Sequence, residues 1–214
     1  MQAIRVNASA DLLLDQQAPF WASAPRSGFD MVPVPLPMVE AVSPFLARNT
    51  GNGAIKRLDV SAAHNGAALA IAMSWTSGKH DEIKDLNQFV DGVAVMFPLA
   101  RTATAVTMGA IGAPVNVWFW RANKPAPYSV IAEGFASVCR LPPDEAGDLA
   151  ASAQYLNGRW TVILRRSIAG PVGHVKLVAG QATKVAFAAW DGGNAERSGR
   201  KSFSGEFVDF ELAK

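Results

Sequence analysis

Alternating apolar and polar residues fill most of the chain in short runs, and this pattern predicts an all-β protein. In a β-strand successive side chains point to opposite faces, so each run would turn one apolar face toward a core. The predicted strands are 54–63, 67–76, 89–97, 115–121, 128–138, 150–156, 159–168, 174–179, 184–190 and 206–212. Turn-forming residues separate these runs, and Asn65-Gly66 and Asn157-Gly158 are hairpin signals. Many short strands with such turns are typical of a β-sandwich or a barrel.

Helical periodicity is weak along the chain. One short helix is predicted near 81–88 and another near 38–47. The run from Val32 to Pro37 alternates with prolines, which lack the N–H donor that a strand in a sheet interior needs. We therefore expect an extended strap on the surface, which covers the chain's own core or docks against another protein. No linker composition interrupts the chain, so a single domain over residues 1–214 is predicted.

The composition narrows the classes of protein that the chain can represent. Hydrophobic residues make up 50% of the chain and charged residues 18%, which leaves apolar surface for a cofactor pocket or a partner interface. The net charge is +2 and the charges are interspersed, which argues against a nucleic-acid partner. No apolar run reaches the length of a membrane-spanning helix.

Cysteine is scarce, because Cys139 is the single one in the chain. This excludes an internal disulfide, a Cys-rich zinc site and the ligand set of an iron–sulfur cluster. The sequence also contains no Cys-x-x-Cys-His motif, so any haem would be held without thioether links. The residues around Cys139 predict a strand in which it packs as a small side chain.

Two segments stand out from this background. In the first, Met108-Gly109 precedes the strand-like run from Pro114 to Trp120. In the second, the predicted strand 184–190 leads into a turn-rich loop that reaches Lys201. Loops held by rigid strands commonly carry function, so both segments are candidates for a site.

The strand before the second loop has a clear facing pattern. Alternation places Val185, Phe187 and Ala189 on one buried face. The loop that follows can then aim the long side chain of Lys201 back over the end of that layer.

These two segments resemble the haem b-binding gamma subunit of molybdenum enzymes such as ethylbenzene dehydrogenase and dimethylsulfide dehydrogenase. Further similar motifs lie at 79–98 and 157–166, and the similarity covers 12–212 and is nearest to the ethylbenzene dehydrogenase branch. In that family one haem b lies between two sheets and has an axial Met and an axial Lys. Met108 and Lys201 occupy the matching motif positions. The resemblance thus implies an antiparallel β-sandwich with a haem slot between its sheets and one or two short helices.

The same resemblance implies a non-catalytic subunit that transfers electrons. Its partners would be a molybdopterin catalytic alpha subunit and an iron–sulfur beta subunit, which alone would carry the molybdopterin and the clusters. Electrons from the anaerobic hydroxylation of a hydrocarbon, ethylbenzene-like or another alkyl chain, would reach the haem and then an external acceptor such as a cytochrome c. Family members work in the periplasm. Residues 1–11 lack the apolar core of a secretory signal, so we expect export with a folded partner or a numbering that omits the signal.

A methionine–lysine pair makes specific demands on its surroundings. A thioether is a neutral, soft ligand that favours ferrous haem and raises its potential, whereas most methionines simply fill cores. A lysine binds iron only as the neutral amine, and holding it neutral at pH 7 costs about 4.6 kcal/mol from a pKa of about 10.4. Desolvation in an apolar slot and competition by the iron can supply this free energy. The simpler alternative is a solvated loop face of Arg197, Arg200 and Lys201, partly neutralised by Glu196.

Histidine is the usual axial ligand of haem, so each histidine needs an interpretation. His64 lies in a predicted hairpin turn and His80 in a charged run, which favours solvated roles for both. His174 stands at the start of a predicted strand and is the second choice as a ligand. Lys184 is the competing lysine and is expected at a sheet edge.

The acidic residues give no catalytic pair. Asp81, Glu82, Asp85 and Asp91 lie in one polar stretch and are expected to face solvent, while Asp191 is expected to stabilise a turn. The sequence also shows neither a nucleophile motif nor a phosphate-binding glycine motif followed by a helix, so no catalytic residue is assigned.

The tryptophans allow a rival interpretation. Most of the six lie in alternating strands, which favours packing in the core or in the haem slot. Trp118 and Trp120 share one face of their strand and could border the slot. An alternative function is a carbohydrate-binding β-sandwich without haem, in which exposed tryptophans would stack on sugar rings. A structural interaction subunit with an empty slot is a third hypothesis.

Overall fold

A computed structural model of the chain describes residues 1–48, 51–83, 85 and 88–214, and strands dominate this part of the chain. The strands are β1 (Gln2–Arg5), β2 (Ser27–Asp30), β3 (Val32–Pro33), β4 (Arg57–His64), β5 (Ala68–Thr76), β6 (Gly92–Pro98), β7 (Val115–Arg121), β8 (Lys124–Ala132), β9 (Val138–Arg140), β10 (Ala150–Leu156), β11 (Arg159–Ser167), β12 (Ala182–Trp190), β13 (Ser202–Phe203) and β14 (Val208–Leu212). The helices are α1 (Phe20–Ser23), α2 (Leu36–Val42), α3 (Pro44–Ala47) and a 3-10 turn at Leu12–Leu14.

The strands form one large mixed sheet that folds over on itself as a β-sandwich. Its strand order is β10-β11-β5-β4-β1-β14-β12-β6-β7-β8-β9, with β2 added to β4, and with β13 joining β12 to the edge strand β3. Most neighbours are antiparallel, as predicted, but β1 pairs in parallel with both β4 and β14. The short strand β1 therefore links the two halves, because it lies between β4 on one side and β14 on the other.

The main hydrophobic core fills the space between the two halves. Val60 of β4 and Ile71 of β5 face Val95 of β6 and Trp118 of β7 in one buried cluster. The predicted shared face of Val185, Phe187 and Ala189 on β12 is confirmed, since all three belong to this cluster. The intervening residues of β12, β6 and β7 point the other way and are also covered, which leaves a second buried layer on the outer side of this half.

The predicted strands agree best with the structure where a turn follows a regular alternation. β7 and β10 have the predicted bounds, and Asn157-Gly158 forms the predicted hairpin with φ values of 51° and 74°. The predicted strand 128–138 is instead two strands, β8 and β9, because the chain reverses at Gly134, whose φ is 103°. Short strands β1, β2, β3 and β13 were not predicted, because runs of two to four residues are too short to show alternation.

The predicted strand 174–179 is wrong. The backbone of Val175 bonds to side chains rather than to a neighbouring strand: its carbonyl accepts a hydrogen bond from Nη2 of Arg166 at 2.8 Å. The Val175 amide donates to Oδ1 of Asn116 at 3.4 Å. Side-chain partners of this kind compete with a β-ladder for the backbone.

The predicted helix near 38–47 is confirmed as α2 and α3. Ser43 between them is extended, with φ of −163°, because the following proline disfavours the helical conformation. The predicted helix at 81–88 lies partly outside the described residues, and the described positions of that segment form no helix. Within the described part of the chain, no helix combines the length and the apolar character that crossing a membrane requires.

The proline-rich strap behaves partly as expected. Val32–Pro33 pairs with β13 only, so the prolines stay out of the sheet interior. Val32 and Leu36 are exposed, while Val34 is 2% exposed and packs inward. The strap is therefore an edge strand that covers the outer layer of the β12 half.

Two polar residues lie deeper than the sequence suggested. His64 was expected in a solvated turn, but it ends β4, is fully buried, and burial lowers its pKa. Asp91 was expected to face solvent, but it is fully buried as well. Cys139 shows the opposite difference. It was expected to be packed, but it is exposed, because β9 is the outermost strand of the sheet.

Candidate functional site: an apolar pocket closed by Met108 and Lys201

An apolar pocket of about 330 Å³ lies on the outer face of the half formed by β12, β6, β7, β8 and β9. This size falls in the usual range of small-molecule sites, about 300–1,000 Å³. Its floor consists of alternate residues of these strands: Ala186, Ala188, Trp190, Ala94, Met96, Val117, Phe119, Tyr128, Val130, Val138 and Arg140. Alanines on the central strands β12 and β6 leave the space that larger side chains would fill.

The roof comes from segments far apart in the sequence. The loop between β6 and β7 contributes Ala105, Val106 and Met108, and the loop after β12 contributes Ser198, Gly199 and Lys201. Val34 of the strap and Val42 of α2 close one side. The strap is fixed to the loop by the Val34 amide, which donates to the Lys201 carbonyl at 3.2 Å.

The pocket does not lie where the resemblance placed the haem slot. The space between the two halves is filled by the main core, and the pocket lies on the opposite side of the β6–β7 layer. Trp118 and Trp120 consequently face the core, and the expectation that they border the slot is wrong. Phe119, which lies between them in the sequence, faces the pocket. Alternation predicts that these neighbours face opposite ways, but both sides are apolar, so the sequence does not say which side is which.

Met108 reaches the pocket from a strained turn. Its φ is 59°, in the left-handed region that costs a residue with a side chain about 1–2 kcal/mol. The turn is held by its own backbone: the Gly109 amide donates to the Thr104 carbonyl at 2.9 Å, and the Gly134 amide donates to the Met108 carbonyl at 2.9 Å. Backbone strain of this kind is concentrated at functional sites.

Gly109 is required by the close approach of other backbone. Its φ is 85°, and a Cβ atom would lie 2.7 Å from the Ala113 carbonyl oxygen and 2.8 Å from that of Ala132. We expect Gly109→Ala to lower the free energy of unfolding by about 1–3 kcal/mol more than Gly112→Ala, because it adds overpacking to the cost of positive φ. Gly112 is the matched control, since its φ is 73° and no heavy atom lies within 4 Å of its Cβ position. If urea unfolding showed the same loss of unfolding free energy for Gly109→Ala and Gly112→Ala, the nearby carbonyl oxygens would not be the reason for glycine at position 109.

Lys201 is buried and its amine meets the sulfur of Met108. The residue is 7% exposed, and Nζ lies 3.4 Å from Sδ. Nζ is also 5.1 Å from the centre of the Trp190 ring. No ion pair joins Lys201 to a carboxylate among the described residues. Burial alone lowers the pKa of this amine from 10.5 to about 8.

The alternative of a solvated basic loop face is wrong. Glu196, Arg200 and Lys201 are 1%, 2% and 7% exposed. Arg197 does not face the amine, because its guanidinium stacks on the Phe89 ring at 4.0 Å. The loop is thus an ordered wall of the pocket, and Lys201 is the residue that it turns inward.

Two buried carboxylates hold this loop, and sequence reasoning assigned a structural role to neither. Oε1 of Glu196 accepts the amides of Gly53 and Ala54 at 2.6 and 2.8 Å, and Oε2 accepts the Asp191 amide at 3.0 Å. Oδ1 of Asp91 accepts the Gly192 amide at 2.9 Å, and burial raises the pKa of Asp91. The expected turn role of Asp191 is confirmed, since its Oδ1 accepts the Asn194 amide at 2.9 Å.

The other residues that were considered as iron ligands, His174, His80 and Lys184, do not line the pocket. His174 is buried beside the loop that Arg166 holds, and His80 stacks on the Tyr155 ring. Lys184 is exposed and pairs with Asp209 at 3.0 Å, as expected for an edge position. Met96 of β6 is a rival thioether donor, since it also lines the floor of the pocket.

The tryptophans pack as the sequence indicated. Trp75, Trp118, Trp120 and Trp160 are at most 3% exposed and belong to the main core. Trp190 lines the pocket. These five rings are therefore not available as an exposed platform for stacking on sugars, which weakens the carbohydrate-binding alternative.

The pocket residues fit a haem. A macrocycle needs flat apolar surroundings, and Phe119, Trp190 and Phe203 supply aromatic faces among aliphatic neighbours. Met108 would offer a thioether sulfur and Lys201 an amine nitrogen, and both are atoms that can bind a haem iron. Sδ and Nζ lie 3.4 Å apart, so one metal ion between these flexible side chains would be within reach of both.

The fold and this pocket define a β-sandwich protein with an apolar cavity closed by a thioether and an amine. Its sequence assigns it further: the model of the ethylbenzene dehydrogenase family matches residues 18–139 and 136–202, and the chain belongs to that family. The two matched segments contain Met108 and Lys201, respectively.

Relatives of known name are subunits of oxidoreductases. A protein of Haloferax mediterranei named as a respiratory nitrate reductase heme subunit, ORF7, is 33% identical over 86% of this chain. The chain spans 63% of the length of that relative. The chlorate reductase subunit gamma of Ideonella dechloratans is 29% identical over 89% of this chain and 76% of its own length.

Among solved structures, a family 9 carbohydrate-binding module from Caldicellulosiruptor kristjanssonii, in complex with glucose, superposes with a TM-score of 0.53. The match covers 100% of this chain and 96% of the module. At 8% identity this likeness concerns the fold alone.

Proposed function

We propose that this chain is a haem-binding electron-transfer subunit, the gamma subunit of a molybdenum oxidoreductase, and that it has no catalytic activity of its own. Family membership and the names of its relatives support this class. The observation that carries the proposal is the contact between Met108 and Lys201, which lie 93 residues apart and bring a thioether and an amine together inside an apolar pocket.

The proposed ligands of the iron are Met108 and Lys201, whose sulfur and amine would hold a single haem b in the pocket. The haem supplies one-electron transfer, and the protein sets its potential through the ligands and the apolar surroundings. A non-covalent haem b agrees with a sequence that has one cysteine and therefore no thioether attachment motif.

The pocket prepares Lys201 for this role. An amine with an ordinary pKa would lose about 4.6 kcal/mol in becoming neutral at pH 7. With its pKa lowered to about 8, the same deprotonation costs about 1.4 kcal/mol. Burial of the amine in the folded chain therefore already supplies most of the free energy that is needed to present a neutral nitrogen.

The finer assignment follows the resemblance to the ethylbenzene dehydrogenase branch. We propose that the complex hydroxylates a hydrocarbon, ethylbenzene-like or another alkyl chain, without oxygen. Its partners would be a molybdopterin alpha subunit and an iron–sulfur beta subunit, with a cytochrome c as the external acceptor and the periplasm as its location. The hydrocarbon would not contact this chain, whose pocket is assigned to the haem.

An absorption spectrum tests the proposed function. The purified chain, produced with a supply of haem, should show a haem b spectrum in its oxidised and dithionite-reduced states. Met108→Ala should lower the midpoint potential and loosen the haem, because it removes the ligand that favours ferrous iron. Lys201→Ala should give a five-coordinate or misligated ferric spectrum.

Two matched variants control this test. Met96→Ala removes the other methionine of the pocket floor, and Lys184→Ala removes an exposed lysine. Both should retain the parental spectrum and potential. If Met108→Ala and Lys201→Ala also retained them, the ligand assignment would be wrong even with haem bound. Absence of any haem in haem-supplied material would reject the function.

A further inference from the structure

A single row of paired residues crosses the floor of the pocket and ends at a charge. Successive partners in the row are Ala186 of β12, Met96 of β6, Val117 of β7, Val130 of β8 and Arg140 of β9. Paired residues share a face of the sheet, and five strands about 4.8 Å apart make a row about 19 Å long. Four members are apolar, so Arg140 is the charged end of an otherwise apolar floor.

The two proposed iron ligands enter the pocket from different strands of its floor. Lys201 enters from the β12 side, because the next residue, Ser202, pairs with Ala189 of β12. Met108 enters from the β8 side, because its carbonyl is bonded to the Gly134 amide in the hairpin between β8 and β9. Their tips meet at 3.4 Å, whereas Arg140 lies on β9, the last strand of the floor.

Arg140 is held in place without an acidic partner. Its guanidinium stacks on the Tyr128 ring, with Cζ 4.1 Å from the ring centre, and the guanidinium of Arg121 lies 5.8 Å from the same centre. No carboxylate of the described residues forms an ion pair with either arginine. Stacking uses the flat face of a guanidinium and leaves the N–H groups at its edge free to bind an anion.

Tyr128 adds a neutral donor at the same edge. It lines the pocket, and burial raises the pKa of its hydroxyl, so the group remains protonated at neutral pH. The edge therefore offers one phenol and two cations, whereas the rest of the floor is apolar. A ligand that matches it has an apolar body and carboxylates along one side.

We propose that Arg140, supported by Tyr128, binds a propionate of the haem and so fixes the rotation of the macrocycle in its plane. This inference rests on the proposed function. Arg121 does not line the pocket, but its guanidinium lies 5.8 Å from the centre of the Tyr128 ring and adds positive charge near the same edge. Arginine suits this task because its fork of N–H groups matches the two oxygens of a carboxylate.

Haem release measures this contact directly. We expect Arg140→Leu to release haem about ten- to hundredfold faster than the parent when the loaded chain is mixed with excess apomyoglobin, because a charge-assisted hydrogen bond is lost. Tyr128→Phe should accelerate release by a smaller factor. Arg26→Leu is the control for removal of an exposed arginine and should release haem at the parental rate.

A chemically altered haem separates a propionate contact from a structural effect. Loaded with iron protoporphyrin IX dimethyl ester, whose carboxylates are blocked, the parent and Arg140→Leu should release the ligand at equal rates. An unchanged ratio of rates with the ester would overturn the inference, because Arg140 would then act only through stacking on Tyr128.

The outcomes also distinguish this inference from the function on which it rests. If Arg140→Leu released haem at the parental rate while the spectrum kept its Met–Lys signature, the propionate role would be wrong and the haem assignment would stand. If no variant and no parent retained haem, both would fail.

Discussion

Replacing Lys201 by methionine is expected to stabilise the haem-free chain at pH 7 by up to about 3 kcal/mol. The amine is buried, and its pKa falls from 10.5 in water to about 8 in the folded chain. At pH 7 the amine is therefore charged in an environment that disfavours the charge. Methionine has a similar length and no charge, so it removes this penalty while it fills the same space.

The pH dependence gives this prediction its signature. Between pH 8 and about 10.5 the unfolded parent binds a proton that the folded parent has released, so parental stability rises with pH. Below pH 8 both states are protonated and the full penalty remains. The advantage of Lys201→Met should thus be largest below pH 8 and disappear above about pH 10.5.

Urea unfolding of haem-free parent and variant from pH 6 to 11 measures the difference. Lys184→Met is the matched control, because the Lys184 side chain is 55% exposed and its replacement should change stability by less than about 0.5 kcal/mol at any pH. A variant less stable than the parent at pH 7, or an advantage that did not vary with pH, would contradict the assigned burial penalty.

Glu196→Ala is expected to lower the free energy of unfolding by about 4 kcal/mol. The carboxylate is 1% exposed and accepts three backbone amides, those of Gly53, Ala54 and Asp191, together with the side-chain amide of Asn194. Each buried donor left without an acceptor costs about 1–3 kcal/mol, and access of water to the more exposed donors reduces the sum.

The controls separate the lost hydrogen bonds from the lost charge. Glu206→Ala removes an exposed carboxylate and should have an effect within about 0.5 kcal/mol. Glu196→Gln keeps one acceptor oxygen but places an amide donor among donors, so we expect a loss between those of the other two variants. A loss below about 1 kcal/mol for Glu196→Ala would show that the loop does not depend on this carboxylate.

The same variant should affect the pocket. Glu196 ties the loop that carries Lys201 to the segment around Gly53, so without it the amine is less well positioned. We expect Glu196→Ala to retain haem more weakly than Glu206→Ala at a temperature where both are folded.

Sequence pattern predicted the strands well where alternation was long, as in β7 and β10, and failed where side chains satisfied the backbone. In 174–179 the apolar residues read as a strand, but Arg166 and Asn116 take up the Val175 backbone. These pairings join positions 9 and 59 residues apart, and the alternation of apolar and polar residues carries no signal for them.

The burial of polar groups was also beyond the sequence. Asp91 lies in a charged stretch and Glu196 beside basic residues, and both contexts favour a solvated interpretation. The structure buries both, because each accepts amides from a loop that would otherwise lack partners. Each carboxylate binds the amide of a glycine in a turn-rich loop, Gly53 for Glu196 and Gly192 for Asp91, and such loops are the signal that could have indicated this.

The sequence by itself determined the all-β class and the shared face of Val185, Phe187 and Ala189, and its resemblance to a family proposed Met108 and Lys201 as ligands. Periodicity and motif similarity depend on neighbours along the chain, which is why they suffice for these. Only the tertiary structure decided that the pocket lies outside the main core, that Phe119 lines it in place of Trp118, and that the amine meets the sulfur. On a strand that is apolar on both faces, alternation shows only that adjacent residues point to opposite faces. Which face lines the pocket depends on the packing of segments that are distant in the sequence.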